Sequence, residues 1–185
     1  MKTIDYLRYR DLERYLFSDV SRRFRREGSL GAFDLFSIVV WKANRAKSKV
    51  ASRLMSKAQS RNLEAVSRKL TATIYKLDND NQRLVCLRCE WGLGLPMASA
   101  ILSVCYPRRF SVYDVRVCEE LRKFKNLSNL TKRDRVWPEY KLFVAAVRKA
   151  APTGLSLRDC DRFLWARSGA RQLEKDIRQG FPRRT

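Results

Sequence analysis

Residues 89–120 hold the groups of this chain that could carry out chemistry, and the most prominent of them is a carboxylate. The segment reads CEWGLGLPMASAILSVCYPRRFSVYDVRVCEE, and Asp114 stands there before an apolar stretch with helical spacing. The chain contains no histidine, which excludes Ser-His-Asp triads, imidazole acid–base catalysis and histidine-ligated metal sites. Any catalysis would therefore use carboxylate, lysine, tyrosine, cysteine or backbone groups.

Two glycines upstream of Asp114 predict a tight turn between two helices. Gly92 and Gly94 separate the apolar stretches 84–91 and 97–106, and small residues open the second stretch. Backbone N–H groups at such a turn and helix start attract a phosphate. A plain helix–helix turn would use the same glycines, and an Asp before an apolar helix is also a typical N-cap. We expect that Asp114 can cap a helix and still act in catalysis.

The charge of the chain indicates a polyanionic partner. Lysine and arginine outnumber aspartate and glutamate by 40 to 19, which gives a net charge of +21. Such a surface binds nucleic acid because each neutralised phosphate releases counterions. The basic residues are spread along the chain and do not form one cationic helix or tail, which favours nucleic acid over a membrane surface. With no bilayer-spanning run and no signal-peptide pattern, we expect a nucleoid-associated cytoplasmic protein.

Apolar residues recur with helical spacing along nearly the whole chain, which predicts an all-α fold in one domain, 1–185. Glycine and proline are scarce. The motifs Thr131–Asp134 and Ser156–Asp159 predict capped helix starts, and Pro138 is expected in the first turn of a helix. The five cysteines are irregularly spaced and are expected to be reduced thiols that form no disulfide framework. Cys86 and Cys89 have the spacing of a metal or redox pair but are expected to be buried core thiols.

The glycine turn and the following carboxylate resemble the helix-hairpin-helix DNA glycosylase superfamily, which includes endonuclease III and the 8-oxoguanine and mismatched-adenine glycosylases. The family hairpin reads Leu-Pro-Gly-Val-Gly-x-Lys-Thr-Ala or a variant, and residues 94–100 match its latter part. The family places a catalytic Asp just past the second hairpin helix in a Val-Asp-x-x-Val context, where Asp114 lies. The strong part of the match covers about a sixth of the chain, within residues 89–120.

The resemblance implies a two-lobed helical bundle with a cleft between the lobes, a hairpin at about 84–106 and a catalytic region at 110–118. The implied hairpin contacts to the DNA backbone are Gly92, Gly94, Leu95, Met97, Ala98 and Ser99. The stretch 33–45 resembles the family's early helix and following loop. The implied base pocket and DNA contacts are Trp41, Lys42, Asn44, Arg45, Tyr113 and Arg116, and Trp91 and Trp165 are further candidates for stacking on the base.

Two departures from the family pattern bear on the chemistry. Pro96 replaces the second hairpin glycine, so the turn has one fewer N–H group. Ala98 stands where bifunctional members carry lysine, which implies a monofunctional enzyme unless another lysine, such as Lys42, reaches the sugar. The four-cysteine spacing of an iron–sulfur cluster is absent, so no cluster is expected, although the hairpin could hold a monovalent cation.

The activity implied by the resemblance is DNA N-glycosylase activity on double-stranded DNA by a monomer. The enzyme would flip a base out of the duplex, and Asp114 would stabilise an oxocarbenium-like sugar and activate water, leaving an abasic site. Damaged bases and hypermodified phage bases, including glucosylated hydroxymethylcytosine, are both open as substrates, so repair and anti-phage defence are both open roles. A non-catalytic helix-hairpin-helix module and a basic RNA-binding protein are the alternatives.

Overall fold

The computed structural model describes residues 6–181, and within this range all regular secondary structure is helical. The predicted all-α fold is confirmed. Within the same range, no helix is both long enough and apolar enough to cross a membrane. The helices are α1 Tyr6–Tyr9, α2 Leu12–Tyr15, α3 Ser21–Glu27, α4 Ala32–Ala43, α5 Lys47–Ala58, α6 Leu63–Lys76, α7 Asp80–Val85, α8 Leu95–Cys105, α9 Val115–Leu121, α10 Arg133–Ala150 and α11 Leu157–Arg178, with π-helical turns at Leu16–Val20 and Cys86–Glu90 and 3₁₀ turns at Asn44–Ala46 and Leu127–Asn129.

The core is built around α8, which is apolar on all sides. Every residue of α8 except Pro96 is buried, as expected for a helix enclosed by other helices. Helix α4 packs against α6 and α8, and α11 packs against α9 and α10. The segment that carries Asp114 therefore leaves the central helix and enters the group of helices formed by α9, α10 and α11.

Of the two predicted helix caps, the one at Ser156 is formed and the one at Thr131 is not. Ser156 is the N-cap of α11 and accepts a hydrogen bond from the Asp159 N–H at 3.2 Å, as predicted. The prediction for α10 was wrong, because its N-cap is Lys132, without a side-chain cap. Pro138 is the sixth residue of α10, so the prediction that it lies in the first turn of this helix was also wrong.

Cys86 is buried as predicted, whereas Cys89 is partly exposed, which corrects its prediction as a buried core thiol. Cys105, Cys118 and Cys160 are also buried. Burial raises the pKa of the Cys86 thiol to about 12, so this thiol stays protonated and unreactive at neutral pH. In the part of the chain that the structure describes, no group of three or more cysteine or carboxylate side chains could hold a metal ion.

Candidate active site and nucleic-acid interface

Asp114 is the N-cap of α9 and at the same time one half of an ion pair. Its Oδ1 accepts a hydrogen bond from the Arg116 N–H at 3.0 Å, and its Oδ2 lies 2.5 Å from Lys42 Nζ. Lys42 comes from the last turn of α4. The Asp114 and Lys42 side chains are 20% and 12% exposed, so the pair is largely buried but still reaches the surface. Capping and access to a ligand are thus compatible at this carboxylate.

The irregular segment before Asp114 is held in place by side chains from three helices. Such a buried segment must place its backbone N–H groups on other partners, because no ladder or helix satisfies them. The phenol of Tyr140 accepts from one N–H and donates to a carbonyl of this segment. The bonds are Ser111 N–H to Tyr140 at 3.2 Å, Tyr140 O–H to the Ser111 carbonyl at 2.5 Å, Val112 N–H to Asp161 Oδ2 at 3.4 Å and Tyr113 N–H to Ser99 Oγ at 2.9 Å.

Asp114 and Lys42 line a cleft of about 680 Å³. The cleft lies between α2, the end of α4, the segment at 112–114 and α11. Its lining contains four acidic and four basic side chains together with two tryptophans, in contrast to the strongly basic chain as a whole. The lining residues are Asp11, Glu13, Arg14, Trp41, Lys42, Val112, Asp114, Arg158, Asp161, Arg162, Trp165 and Ala166.

Asp161 is a second carboxylate of the cleft that the sequence did not single out. Its residue is 2% exposed, and its Oδ2 accepts from the Arg158 guanidinium and from the Val112 N–H. Burial raises the pKa of this carboxyl to about 6, and the positive charges of Arg158 and Lys42 act in the opposite direction. In the sequence Asp161 is one more charged residue near a helix start, so only the tertiary structure brings it near Asp114.

Arginine side chains cover part of both tryptophans of the cleft. The Arg158 guanidinium lies 5.0 Å from the ring centre of Trp41 and also donates to Glu13 Oε1 at 2.7 Å. The Arg116 guanidinium lies 5.0 Å from the ring centre of Trp165, whose residue is 49% exposed. Both tryptophan rings are therefore held at the cleft by cation–π contacts.

The hairpin is formed, but several of its predicted backbone contacts are already used within the protein. Gly92 has a φ of +67°, which favours glycine, and Gly94 is exposed. The N–H groups of Met97 and Ala98 donate to the Gly94 carbonyl, and Ser99 Oγ accepts from Tyr113. Leu95, Met97, Ala98 and Ser99 are all buried. The N–H groups of Met97 and Ala98 and the Ser99 hydroxyl are thus already used within the protein, Gly94 is the exposed residue of the turn, and contact of the hairpin with DNA stays a prediction.

A basic helix, α5, lies beside the hairpin turn. Arg53 of α5 donates to the Gly92 carbonyl at 2.6 Å, and the carbon chain of Lys57 passes close to Gly92. A second cavity of about 250 Å³ lies between α5 and the hairpin and is lined by Lys42, Lys49, Arg53 and Gly94 among others. Lys42 thus borders both the cleft and the hairpin cavity.

The remaining predicted site residues do not line the cleft. Tyr113 is buried, and its hydroxyl donates to the Phe124 and Lys125 carbonyls, so its prediction as a base-stacking residue is corrected. Trp91 is also buried in the core. Asn44 and Arg45 are exposed on the 3₁₀ turn after α4, where Asn44 accepts from Lys47.

No protein-family model, no curated protein and no solved structure matches this chain. Its function is therefore inferred from its own residues and their geometry.

Proposed function

We propose that this chain is a monofunctional DNA N-glycosylase of the helix-hairpin-helix type. The observation that carries the proposal is the place of Asp114, a fixed carboxylate on the wall of a cleft, beside a lysine shared with the hairpin cavity. A phosphate at the hairpin and a sugar at Asp114 would then be neighbouring parts of one DNA strand. One lobe would be α4–α8 and the other the group of helices formed by α9, α10 and α11, with the cleft between them.

The reaction needs one carboxylate and one water molecule. As the bond between C1′ and the base nitrogen breaks, its electron pair leaves with the base and positive charge develops on the sugar. Asp114 stabilises this oxocarbenium-like sugar and orients water for attack on C1′. The water oxygen bonds to C1′, one water proton is transferred to the departing base, and an abasic site remains.

In this proposal Lys42 forms an ion pair with Asp114 and does not act as a nucleophile. An ammonium group paired at 2.5 Å with a carboxylate has no free electron pair with which to attack C1′. Ala98, at the position where the related family carries its lysine, is fully buried. Release of the base without cleavage of the DNA strand is therefore the expected outcome.

Basic side chains on both sides of the hairpin would hold the DNA backbone. On one side lie the exposed Lys49, Arg53 and Lys57 of α5. On the other side, the segment 122–135 is attached to the first hairpin helix because Arg88 donates to the Leu130 carbonyl at 2.6 Å. The exposed cations of that segment are Arg122, Lys123, Lys125, Lys132, Arg133 and Arg135. We propose that double-stranded DNA is held across these two surfaces by one monomer, in the cytoplasm at the nucleoid.

The extruded base would enter the cleft next to Asp114. With a volume of about 680 Å³, the cleft has room for a base that carries a substituent. Damaged bases and hypermodified phage bases such as glucosylated hydroxymethylcytosine are therefore both proposed substrates, in repair or in anti-phage defence.

Mass spectrometry of bases released from a panel of damaged and phage DNAs tests the proposal. Release of one base class by the wild-type protein, lost in Asp114→Asn while DNA binding is retained, would support it. Binding of duplex DNA without release of any base would instead indicate a non-catalytic DNA-binding module. Stronger binding of structured RNA than of duplex DNA would indicate an RNA-binding protein.

A further inference from the structure

Two buried aspartates of this chain are bonded in different ways. Asp34 uses both carboxylate oxygens, since Oδ1 accepts from the Tyr15 hydroxyl at 2.9 Å and Oδ2 pairs with Arg23. Asp161 receives both of its protein hydrogen bonds on Oδ2. Among residues 6–181, nothing donates a hydrogen bond to its Oδ1. The side chain of Asp161 is 3% exposed and lines the cleft.

Oδ1 of Asp161 is not among the fully buried unpartnered side-chain atoms of residues 6–181, so it is open to the cleft and can accept a hydrogen bond from an N–H group of a ligand. The charges around Asp161 keep it ionised above its raised pKa of about 6. The positive charges are Arg158 on the same helix, α11, and Lys42 on α4. The other titratable groups near Asp161 are Asp114, which lines the same cleft, and the un-ionised Tyr140 phenol on α10. At pH 8, Oδ1 is therefore a hydrogen-bond acceptor only.

We infer that Asp161 reads the extruded base by accepting a hydrogen bond from an exocyclic amino group. Trp165 follows one turn later on α11 and lines the same cleft, so it flanks the base that Asp161 reads. The preferred substrates are then amino-bearing bases, and bases that present only lone pairs at this edge are rejected. This inference rests on the proposed glycosylase function, because it needs a base inside the cleft.

Binding measurements at pH 8 with matched duplexes test the reading role. Each duplex places one base opposite a propyl spacer, which offers neither a pairing partner nor a competing sugar. The pairs are adenine against purine and cytosine against 2-pyrimidinone, so that only the amino group differs. A tetrahydrofuran abasic analogue at the same position provides a duplex without a base.

The wild-type protein is expected to bind the amino-bearing member of each pair about tenfold more tightly, since a base without the amino group displaces water from Oδ1 and leaves this acceptor unpaired. In Asp161→Asn this preference should fall to about twofold or less, while affinity for the tetrahydrofuran duplex stays the same. Asp34→Asn is the matched control for loss of a buried, arginine-paired charge, and it should keep the preference. Trp165→Leu, at an exposed position, should weaken binding of all four base-bearing duplexes and spare the tetrahydrofuran duplex.

Three results would overturn the inference. Equal affinity of the wild-type protein within each pair would show that no amino group is read, whatever the variants do. An equal loss of binding to base-bearing and tetrahydrofuran duplexes in Asp161→Asn would show that Asp161 only holds the Val112 backbone. Failure of the wild-type protein to prefer the tetrahydrofuran duplex over unmodified DNA would overturn the proposed function itself, and the inference with it.

Discussion

Replacement of Asp114 by asparagine separates the role of this side chain as a helix N-cap from its proposed role in catalysis. The amide oxygen of asparagine can still accept from the Arg116 N–H, and asparagine is among the best N-cap residues. In this chain Asn62 already caps α6 in the same manner, accepting from the Ala65 N–H at 3.0 Å. The negative charge beside Lys42 is lost. Asp114→Asn therefore keeps the cap and removes the group that stabilises the cationic sugar.

The expected free-energy cost of Asp114→Asn is about twice as large for activity as for stability. Because the cap persists, the loss of the charged hydrogen bond to Lys42 should lower the free energy of unfolding by about 1–2 kcal/mol. Loss of one preorganised electrostatic stabiliser in a catalytic site lowers the rate by about 10²- to 10³-fold, or about 3–4 kcal/mol of activation free energy. Asp114→Ala should lose the same activity and a further ~1 kcal/mol of stability with the cap.

Single-turnover release of the base that the wild-type protein excises measures the activity, and urea denaturation measures the stability. Asn62→Ala is the matched control, since it removes a helix cap away from the cleft and should cost about 1 kcal/mol of stability at full activity. If Asp114→Asn releases base at a rate within about threefold of the wild type, well short of the loss expected for an electrostatic stabiliser, Asp114 is only a cap and the proposed mechanism is wrong.

Three further predictions follow from the same site. Borohydride should trap no covalent complex with DNA, because the Lys42 amine is held by its carboxylate partner, and an adduct that disappears in Lys42→Gln would reveal a lyase. Burial raises the pKa of Asp161 in the folded state to about 6, so ionisation of this carboxyl lowers the free energy of unfolding as the pH rises from about 4 to 6. Asp161→Asn should remove up to about 3 kcal/mol of this decline, measured as urea midpoints against pH. The same pH dependence in the wild type and in Asp161→Asn would contradict the prediction. Arg53→Gln and Lys57→Gln should each make the slope of log DNA affinity against log salt concentration less steep by about 0.9. Arg68→Gln on α6 removes the same charge and should leave this slope unchanged. Equal slope changes in all three variants would contradict the proposed DNA surface.

Local sequence signals were sufficient for the helical fold and for Asp114 as a helix N-cap. The all-α prediction holds because apolar periodicity and the scarcity of glycine and proline act within single helices. The Ser156 cap was readable for the same reason, since its partner is three residues away. The Thr131 cap is not formed, because Lys132 occupies the N-cap position of α10 and no side chain caps this helix.

The membership of the candidate site depended on contacts that the sequence does not encode locally. Lys42 meets Asp114 across 72 positions, and Asp161 meets Val112 across 49. Tyr113, next to Asp114 in sequence, turns into the core because its hydroxyl finds the carbonyls of Phe124 and Lys125. By itself the sequence determined which residue types were available, the helices that carry them and an excess of positive charge. Packing of α4 and α11 around the segment at 112–114 decided which of those side chains share a cleft, since that choice is made by burial and hydrogen bonding between elements distant along the chain.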